Sequence, residues 1–350
     1  MNNNAINYMK RALQLAQKGE ATVSPNPLVG AVIVKNGKII GEGYHIRKGE
    51  GHAEVNAVEN AKECVKDSTL YCTLEPCCHT NKTTPPCTEL IIERGISEVV
   101  IAALDPNPEV AGKGVKRLEE AGVKVSFGLL EKEAKKQNKV FFKNMTTSLP
   151  YIHIKSAVTL DGRIATSSGD SKWISSSEAR GEVHEMRNKY DAVMIGKNTL
   201  RADNPSLNTR QGEEIIKENI KVVVGALEST DARLKIFSDP KKVFNINGDD
   251  STEIESVRKI QIKKTWKETF EQLYRAGVCS LLVEGGSTLV SSLLKEDAFD
   301  ELTFYVNPKL VGNGPSVFVD NETKTIADGI ALNGRWRLNN SNEAIFEVMK

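Results

Sequence analysis

The chain has 350 residues and a formal net charge of +1 at pH 7. This length exceeds what one typical hydrophobic core supports and predicts two domains. The near-neutral charge argues against nucleic acid or an anionic membrane surface as a partner, and no apolar run is long enough to span a bilayer. The amphipathic N-terminus lacks the apolar stretch of a signal peptide. Because three of the six cysteines cluster beside a histidine, a reducing compartment and a cytoplasmic enzyme are expected.

The first half of the chain alternates predicted helices and strands. Apolar residues at helical spacing predict a first helix that ends at Gly19, and Asn36-Gly37 predicts a hairpin turn. Strands are predicted at residues 28–34, 38–43, 69–73, 99–103 and 123–127. Helices are predicted at residues 52–63, 87–94, 113–121 and 130–142, with one more beginning at Cys77. This alternation predicts an α/β sandwich over residues 1–146, and residues 145–150 are the predicted linker.

The second half predicts another α/β domain, over residues 150–350. Residues 198–210 are polar and are predicted to form a loop. Helices are predicted at residues 176–190, 266–276 and 289–294. Strands are predicted at residues 151–158, 192–196, 221–224, 243–246, 280–283 and 301–306, with a final strand pair from Trp336.

Two segments of the first half carry the residues of a metal site. His52, Cys77 and Cys87 offer one imidazole and two thiolates, a zinc ligand set that leaves the fourth position open for catalysis. Glu54 lies two residues beyond the histidine, where a carboxylate can move protons without binding the metal. The order H-x-E … P-C … C is the signature of zinc-dependent nucleobase deaminases, although nine residues rather than two separate the cysteines.

Cys78 is the alternative to Cys77 as a ligand. Cys77 is preferred because the residue after Pro76 would begin a helix and point into the site. A helix N-terminus would also stabilise the thiolate form.

The second half contains a candidate phosphate-binding segment. Residues 285–288 (GGST) follow a predicted strand and open a predicted helix, so their backbone N–H groups could face an anion. A glycine pair at this place is also common in ordinary tight turns. Ser171, Arg187 and the segment 198–210 add hydroxyls and basic groups that suit a phosphorylated ligand, although a solvated loop is the alternative.

Several motifs occur in an order that points to one family. In the first half they are residues 25–32 (PNPLVGAV), 41–45 (GEGYH), 52–54 (HAE), 73–77 (TLEPC), 85–87 (PPC) and 105–114 (DPNPEVAGKG). In the second half they are residues 155–163 (KSAVTLDGR), 171–175 (SKWIS), 203–210 (DNPSLNTR) and 283–286 (VEGG). Through these motifs nearly the whole chain resembles the bifunctional riboflavin-biosynthesis enzymes, in which a pyrimidine deaminase is fused to a pyrimidine reductase.

The resemblance implies a cytidine-deaminase-like three-layer α/β/α domain followed by a dihydrofolate-reductase-like α/β domain. The first domain would use zinc to hydrolyse the ring amino group from a diaminopyrimidinone ribosylamino 5′-phosphate. The second domain would use NADPH to reduce the ribosyl side chain of the resulting aminouracil to ribityl. A homo-oligomer that acts on small phosphorylated pyrimidines is expected, with no nucleic-acid or membrane partner.

The resemblance also implies roles for individual residues. The deaminase pocket would be lined by Asn26, His45, His79 and Lys82. The substrate of the reductase would contact Lys155, Ser171, Arg187, Leu207, Arg210 and Glu284. NADPH would be held by Ala157, Trp173, Thr199, Asp203, Gly286, Ser287 and Thr288. Residues 76–87 depart from the family pattern through one extra residue, a missing glycine and Cys78 in place of the usual serine.

Two other functions are compatible with parts of the sequence. A deaminase acting on tRNA would share the metal residues, but the near-neutral charge and the large second domain argue against it. A structural zinc module is the second alternative. Such a site would normally be closed by a fourth cysteine or histidine, and Glu54 would then have no role.

Overall fold

The computed structural model describes residues 3–79, 85–248 and 254–350. The chain divides into two units, Met1–Ser148 and Leu149–Lys350. Among the described residues, none of the helices combines the length and the apolar character needed to cross a membrane.

The first unit is built on a five-stranded mixed sheet in the order β2-β1-β3-β4-β5. The first two pairings are antiparallel and the last two are parallel. Its strands are β1 (Gly30–Lys35), β2 (Lys38–Tyr44), β3 (Thr69–Leu74), β4 (Glu98–Ala103) and β5 (Lys124–Phe127). Its helices are α1 (Asn3–Gln17), α2 (Ala53–Glu59), α3 (Cys87–Glu93), α4 (Lys113–Glu120), α5 (Glu131–Gln137) and α6 (Lys139–Thr147).

Helices cover both faces of this sheet. A Cβ atom on Gly30 would lie 2.0 Å from the carbonyl oxygen of Ala12, so α1 packs directly against that face of β1. A Cβ atom on Gly43 would lie 2.3 Å from the backbone nitrogen of Ala57 in α2. Gly43 pairs with Ala31, which points away from the face of its neighbour Gly30. Thus α1 and α2 lie on opposite faces, and the expected three-layer arrangement is confirmed.

The predicted helix does not begin at Cys77 in the part of the chain that the structure describes, which reaches residue 79 here. Residues 75–79 are irregular, and the backbone of Cys77 instead serves the start of α3, because its carbonyl accepts the Thr88 N–H at 3.3 Å. Cys87 begins α3, and His52 is the N-cap residue of α2. The helix predicted at residues 52–63 ends earlier, at Glu59.

The helix predicted at residues 130–142 is two helices, α5 and α6, separated at Asn138. The side chain of this buried asparagine accepts the Leu28 N–H at 2.7 Å and donates to the Leu28 carbonyl at 2.8 Å. These two hydrogen bonds fix the break between α5 and α6 beside Leu28, two residues before β1. Because α6 continues to Thr147, the first residues of the predicted linker are helical.

The second unit contains a nine-stranded sheet in the order β12-β11-β10-β7-β13-β6-β14-β16-β15. The pairings from β12 to β14 are parallel, and those of β16 are antiparallel. The strands are β6 (Tyr151–Thr159), β7 (Ala192–Gly196), β10 (Ile220–Val224), β11 (Val243–Asn247), β12 (Arg258–Gln261), β13 (Ser280–Val283), β14 (Glu301–Asn307), β15 (Arg335–Leu338) and β16 (Ala344–Met349), with β8 (Thr209–Gln211) and β9 (Glu214–Lys217) forming a separate pair. Among the described residues the helices are α7 (Ser177–Lys189), α8 (Lys197–Asp203), α9 (Trp266–Arg275) and α10 (Ser287–Lys295). Short 3-10 turns lie at Ser229–Arg233, Lys235–Ser238, Pro240–Lys242 and Ile326–Asp328.

The predicted polar loop at residues 198–210 is wrong, since it contains α8 and β8. Leu200 anchors α8 because it is fully buried, and Arg201 pairs with Asp231 at 2.8 Å. The helix was not predicted because a single leucine, Leu200, among the mostly polar residues of α8 shows no helical periodicity. The strand β12 was missed for a similar reason, because only Ile260 of its four residues is buried.

The parallel strands end along one edge of the sheet. Gly196 is the last residue of β7, Gly225 follows β10 and Glu284 follows β13, so the ends of these three strands lie side by side. This edge is where ligands bind in open parallel sheets.

Candidate active sites

The three predicted metal ligands meet in the first unit. His52 Nδ1 lies 3.4 Å from Cys77 Sγ and 3.3 Å from Cys87 Sγ. All three ligand atoms lie within 4.8 Å of one another. A tetrahedral zinc with ordinary Zn–N and Zn–S bond lengths requires an N···S separation of roughly 3.5 Å. The donor set and its spacing therefore fit a zinc ion.

Backbone structure places each ligand. His52 precedes the first turn of α2, and Cys87 occupies the first turn of α3, where the helix dipole favours a thiolate. The Cys87 N–H also donates to Cys77 Sγ at 3.4 Å. Cys78 is not a member of this cluster. Its thiol instead lies 4.0 Å from the Glu109 carbonyl oxygen.

Glu54 lies beside the metal ligands. Its side chain is only 3% exposed and belongs to the first turn of α2. Together with His52 and Cys77 it lines a cavity of about 540 Å³. A buried carboxylate next to an open ligand position can exchange protons with a water molecule and a substrate.

Asn26, His45 and His79 line the same cavity, whereas Lys82 lies outside the described residues. His45 Nδ1 is 3.1 Å from the Gly51 carbonyl, which can only accept, so this nitrogen carries the proton. His45 Nε2 then accepts from the amide of Asn26 at 3.0 Å. Burial lowers the pKa of His45, which favours the neutral imidazole over the protonated form.

Sequence reasoning missed part of this cavity wall. Glu75, Asp105 and Asn107 line the cavity, and burial raises the pKa of Asp105 to about 6. These residues lie in two of the quoted motifs, but a motif without a partner gives no direction for a side chain. The signal was the pairing of two short polar segments that follow neighbouring strands, β3 and β4.

A larger cavity, of about 830 Å³, lies in the second unit at the edge where the parallel strands end. Gly196, Gly225 and Gly286 contribute backbone to its wall, and Lys197, Lys263 and Lys264 contribute positive charge. The helix α10 begins at this wall with Ser287. Six of the residues predicted for ligand binding line the cavity: Ser171, Thr199, Asp203, Gly286, Ser287 and Thr288.

Arg187 and Glu284 form a buried ion pair. The guanidinium donates to both carboxylate oxygens, at 2.6 and 2.8 Å, and to the Asn208 carbonyl at 3.1 Å. Each side chain is only 14% exposed. Burial is the largest influence on Glu284 and alone would raise its pKa, but the charge and hydrogen bonds of Arg187, together with the charge of Lys155, outweigh it, so the pKa lies below its usual value. Burial also lowers the pKa of the nearby Lys155, although the charge of Glu284 opposes this shift.

The remaining predicted residues that the structure describes do not line either cavity. Trp173 is exposed, with the Arg180 guanidinium 4.4 Å from its ring centroid. Leu207 is buried in a hydrophobic cluster, and Ala157 packs against another one. Arg210 is exposed on β8, where its Nε donates to Asn208 Oδ1 at 3.0 Å. The structure therefore does not gather all thirteen predicted reductase residues around one cavity: six line it, and Lys155, Ala157, Trp173, Arg187, Leu207, Arg210 and Glu284 do not.

Comparison with known proteins separates the two halves of the chain. A family model described as the cytidine and deoxycytidylate deaminase zinc-binding region matches residues 2–103. A second one, the RibD C-terminal domain, matches residues 150–345. A deaminase region followed by a reductase domain defines a bifunctional deaminase–reductase.

Relatives that match most of the chain contain both halves. The riboflavin biosynthesis protein RibD of Bacillus amyloliquefaciens is 42% identical over 316 residues, covering 87% of this chain and 85% of that protein. RibD of Escherichia coli strain K12 is 41% identical over 324 residues, covering 87% of this chain and 88% of that protein. The chain therefore belongs to the RibD family, the bifunctional deaminase–reductases of riboflavin biosynthesis.

Solved structures give the same result. Acinetobacter baumannii RibD, form 1, superposes with a TM-score of 0.90 at 35% identity, covering 99% of this chain and 98% of that chain. A Thermotoga maritima protein also superposes with a TM-score of 0.90, at 37% identity and the same coverage. It is described as a diaminohydroxyphosphoribosylaminopyrimidine deaminase and 5-amino-6-(5-phosphoribosylamino)uracil reductase.

Proposed function

We propose that the first unit deaminates a diaminopyrimidinone ribosylamino 5′-phosphate, and that the second unit reduces the ribosyl chain of the product with NADPH. The proposal depends most on one observation: His52, Cys77 and Cys87 form a cluster of metal-binding side chains, and His52 and Cys77 line the same cavity as the buried Glu54. The activities of the Thermotoga relative support the choice of substrates. The deaminated ring is a uracil, so the product of the first step is the substrate of the second.

In the deaminase, His52, Cys77 and Cys87 would hold zinc, which supplies Lewis-acid activation of water. Glu54 would take one proton from the attacking water as its oxygen bonds to the ring carbon, and would deliver that proton to the ring nitrogen. It would then move the second proton, from the new hydroxyl, to the amino group, which leaves as ammonia while the hydroxyl becomes a carbonyl. One C–O bond forms and one C–N bond breaks, with no change of oxidation state.

Asn26 and His45 would orient the pyrimidine. Their mutual hydrogen bond and the Gly51 carbonyl hold the imidazole in one tautomer. His79 lies at the same wall, and Lys82 is proposed as a further contact from the family pattern. Fixed donors and acceptors of this kind select one ring orientation, because a wrongly placed ring leaves buried polar groups unpaired.

In the reductase, bound NADPH would provide the two electrons as hydride for the first carbon of the ribosyl group, and a proton from solvent or a side chain would go to the ring oxygen as the sugar opens. The cavity of the second unit suits a phosphorylated dinucleotide, because it combines three lysines with exposed backbone at Gly286 and the start of α10. Thr199, Asp203, Ser287 and Thr288 line the same cavity and would hold the cofactor, with Ala157 and Trp173 assigned from the family pattern.

The reductase substrate would contact Lys155, Ser171, Arg187, Leu207, Arg210 and Glu284. Arg187 is engaged by Glu284 and by the Asn208 carbonyl, so its main effect is to fix the position of that carboxylate. Arg210 is the exposed cation of the set and is the better candidate for the substrate phosphate.

The metal assignment is tested with a matched pair of variants. Cys77→Ser should lose zinc and deamination together, whereas Cys78→Ser should retain both, because only Cys77 has its sulfur in the cluster. Zinc is measured per chain by elemental analysis, and ammonia release is measured on the same samples. The assignment is wrong if Cys78→Ser strips the metal while Cys77→Ser keeps it.

A further inference from the structure

Glu75 is a buried carboxylate that no step of the proposed reaction uses. It directly follows β3, two residues before Cys77, and is only 3% exposed. Its Oε1 accepts the Val115 N–H at 3.1 Å, and its Oε2 accepts the N–H groups of Asp105 at 3.2 Å and Gly112 at 3.0 Å. One side chain thus receives three backbone donors from a single segment of chain.

These three donors span residues 105–115, which we call the wall segment. Asp105, Asn107 and Val110 of this segment line the deaminase cavity. Inside the segment, the Asp105 carboxylate accepts the Asn107 N–H at 2.8 Å. Glu75 therefore holds the beginning, the middle and the end of a segment whose side chains face the substrate space.

Close packing reinforces this attachment. A Cβ atom on Gly114 would lie 2.3 Å from the Pro76 carbonyl oxygen and 3.0 Å from Glu75 Oε1. The wall segment therefore lies directly against the backbone that carries Cys77. A side chain on Gly114 would push the segment away from residues 75 and 76.

The chemistry of Glu75 differs from that of Glu54. Both carboxyl groups are buried at the same cavity, but the oxygens of Glu75 are occupied by backbone donors: Asp105 in irregular chain, Gly112 at the N-cap of α4 and Val115 in the first turn of α4. A buried carboxylate is retained where hydrogen bonds compensate its desolvation. Charge-assisted hydrogen bonds are stronger than neutral ones. Those of Glu75 therefore fix the irregular backbone before α4 and the first turn of that helix.

We propose that Glu75 is a positioning residue: its carboxylate fixes the wall segment and thereby sets the affinity of the deaminase site for its pyrimidine nucleotide. The inference rests on the proposed deamination. Glu75 does not touch the reacting atoms, so its loss should act mainly on substrate binding. The reductase unit of the same chain provides an internal reference for overall integrity.

The test is Glu75→Gln in the full-length chain. The amide keeps the shape but has one acceptor oxygen and an NH₂ group that faces a backbone donor. We expect the KM for ammonia release to rise by at least about tenfold, the loss of roughly one charge-assisted hydrogen bond, with a smaller change in kcat. Zinc per chain and NADPH-dependent reduction of the deaminated substrate should stay at the wild-type level. Amide hydrogen exchange should accelerate at residues 105–115.

Two further variants keep the inference testable if Glu75→Gln does not fold. Gly114→Ala pushes on the wall segment from the other side and should also raise KM while zinc is retained. Glu109→Gln removes an equal charge from an exposed position of the wall segment and should change neither KM nor exchange.

The outcomes separate the alternatives. Unchanged KM with faster exchange would overturn the positioning role, and so would loss of zinc from a folded Glu75→Gln or a fall in kcat alone. Absence of ammonia release from the wild-type chain would instead overturn the proposed deamination. In that case the exchange rates would still show whether Glu75 fixes the wall segment.

Discussion

In the deaminase cavity, the role of each histidine depends on the direction in which its ring nitrogens point. His52 directs Nδ1 toward two sulfurs, and His45, in the same cavity, uses Nδ1 to donate to a carbonyl. The two imidazoles are 5.4 Å apart, yet only one belongs to the metal cluster. Residue type and spacing in the sequence pointed to His52 as the ligand, because Glu54 follows it two positions later. The orientation of each ring is a property of the folded backbone and could not be read from the sequence.

The proton-transfer role of Glu54 leads to a prediction. Glu54→Gln should keep the fold and the zinc, because the amide is nearly isosteric with the acid, but it cannot carry a proton. General acid–base catalysis contributes about 10²–10⁴-fold, so ammonia release should fall by at least that range. The measurement is steady-state ammonia release with zinc per chain determined in parallel. Near-normal turnover by this variant would remove Glu54 from the mechanism.

The two arginines of the reductase should respond differently to substitution. Arg187→Ala leaves the buried Glu284 without its partner, and removing one member of a buried pair costs about 3–5 kcal/mol. The second unit should therefore lose thermal stability. Arg210→Ala, at an exposed position, should leave stability nearly unchanged and raise the KM of the reductase substrate about ten- to hundredfold.

Thermal unfolding and NADPH oxidation on both variants check this difference. Equal losses of stability would show that the burial of Arg187 has no energetic consequence. An unchanged KM in Arg210→Ala would exclude this arginine as a substrate contact.

At the scale of elements, regular structure was predictable and the irregular connections were not. The hairpin at Asn36-Gly37 is present, with positive φ angles of 50° and 74°, because the dipeptide itself favours that turn. The break at Asn138 depends on its hydrogen bonds to Leu28, which lies 110 positions earlier in the chain. Local periodicity carries no information about such a distant partner. Cys77 is a second example, because its carbonyl accepts a hydrogen bond from Thr88, in the first turn of α3, eleven positions later in the chain.

The connection before α10 allows a test of the cofactor site. Gly286 has an extended backbone, with φ of −78°, so valine introduces no backbone strain there. Its side chain would enter the cavity beside Thr199, whose Oγ1 lies 3.2 Å from the ideal Cβ position. Gly286→Val should therefore weaken NADPH binding about ten- to hundredfold and leave substrate binding nearly intact.

Fluorescence titration with NADPH measures this effect directly. Gly181→Val is the matched control, because Gly181 is exposed on α7 and a Cβ atom there meets nothing within 4 Å. If Gly286→Val weakens the pyrimidine substrate and spares NADPH, the cavity has been assigned to the wrong ligand.

At the scale of the molecule, each unit has its own core. The main hydrophobic cluster of the first unit draws its buried members from Met9 to Ala134, and that of the second begins at Ile152. The length of the sequence predicted two domains, and the motifs predicted which chemistry each one carries. A homo-oligomer and a cytoplasmic location stay predictions.

Separate cores predict that the first unit folds alone. A fragment of residues 1–148 contains the complete metal cluster and ends directly after α6. It should unfold cooperatively and bind one zinc per chain. An insoluble or zinc-free fragment would indicate that the units depend on one another for stability, or that the boundary is misplaced.

The proposed function requires two consecutive reactions, deamination and then reduction, on one chain. One assay can follow both reactions. Purified zinc-loaded protein is incubated with the diaminopyrimidinone ribosylamino 5′-phosphate, with and without NADPH, and both pyrimidine products are followed by chromatography and mass spectrometry. Ammonia and the ribosylaminouracil phosphate are expected without NADPH, and the ribitylamino product with stoichiometric NADPH oxidation when NADPH is present. NADPH oxidation without prior ammonia release, or ammonia release that leads to no reduced product, would contradict the proposed function.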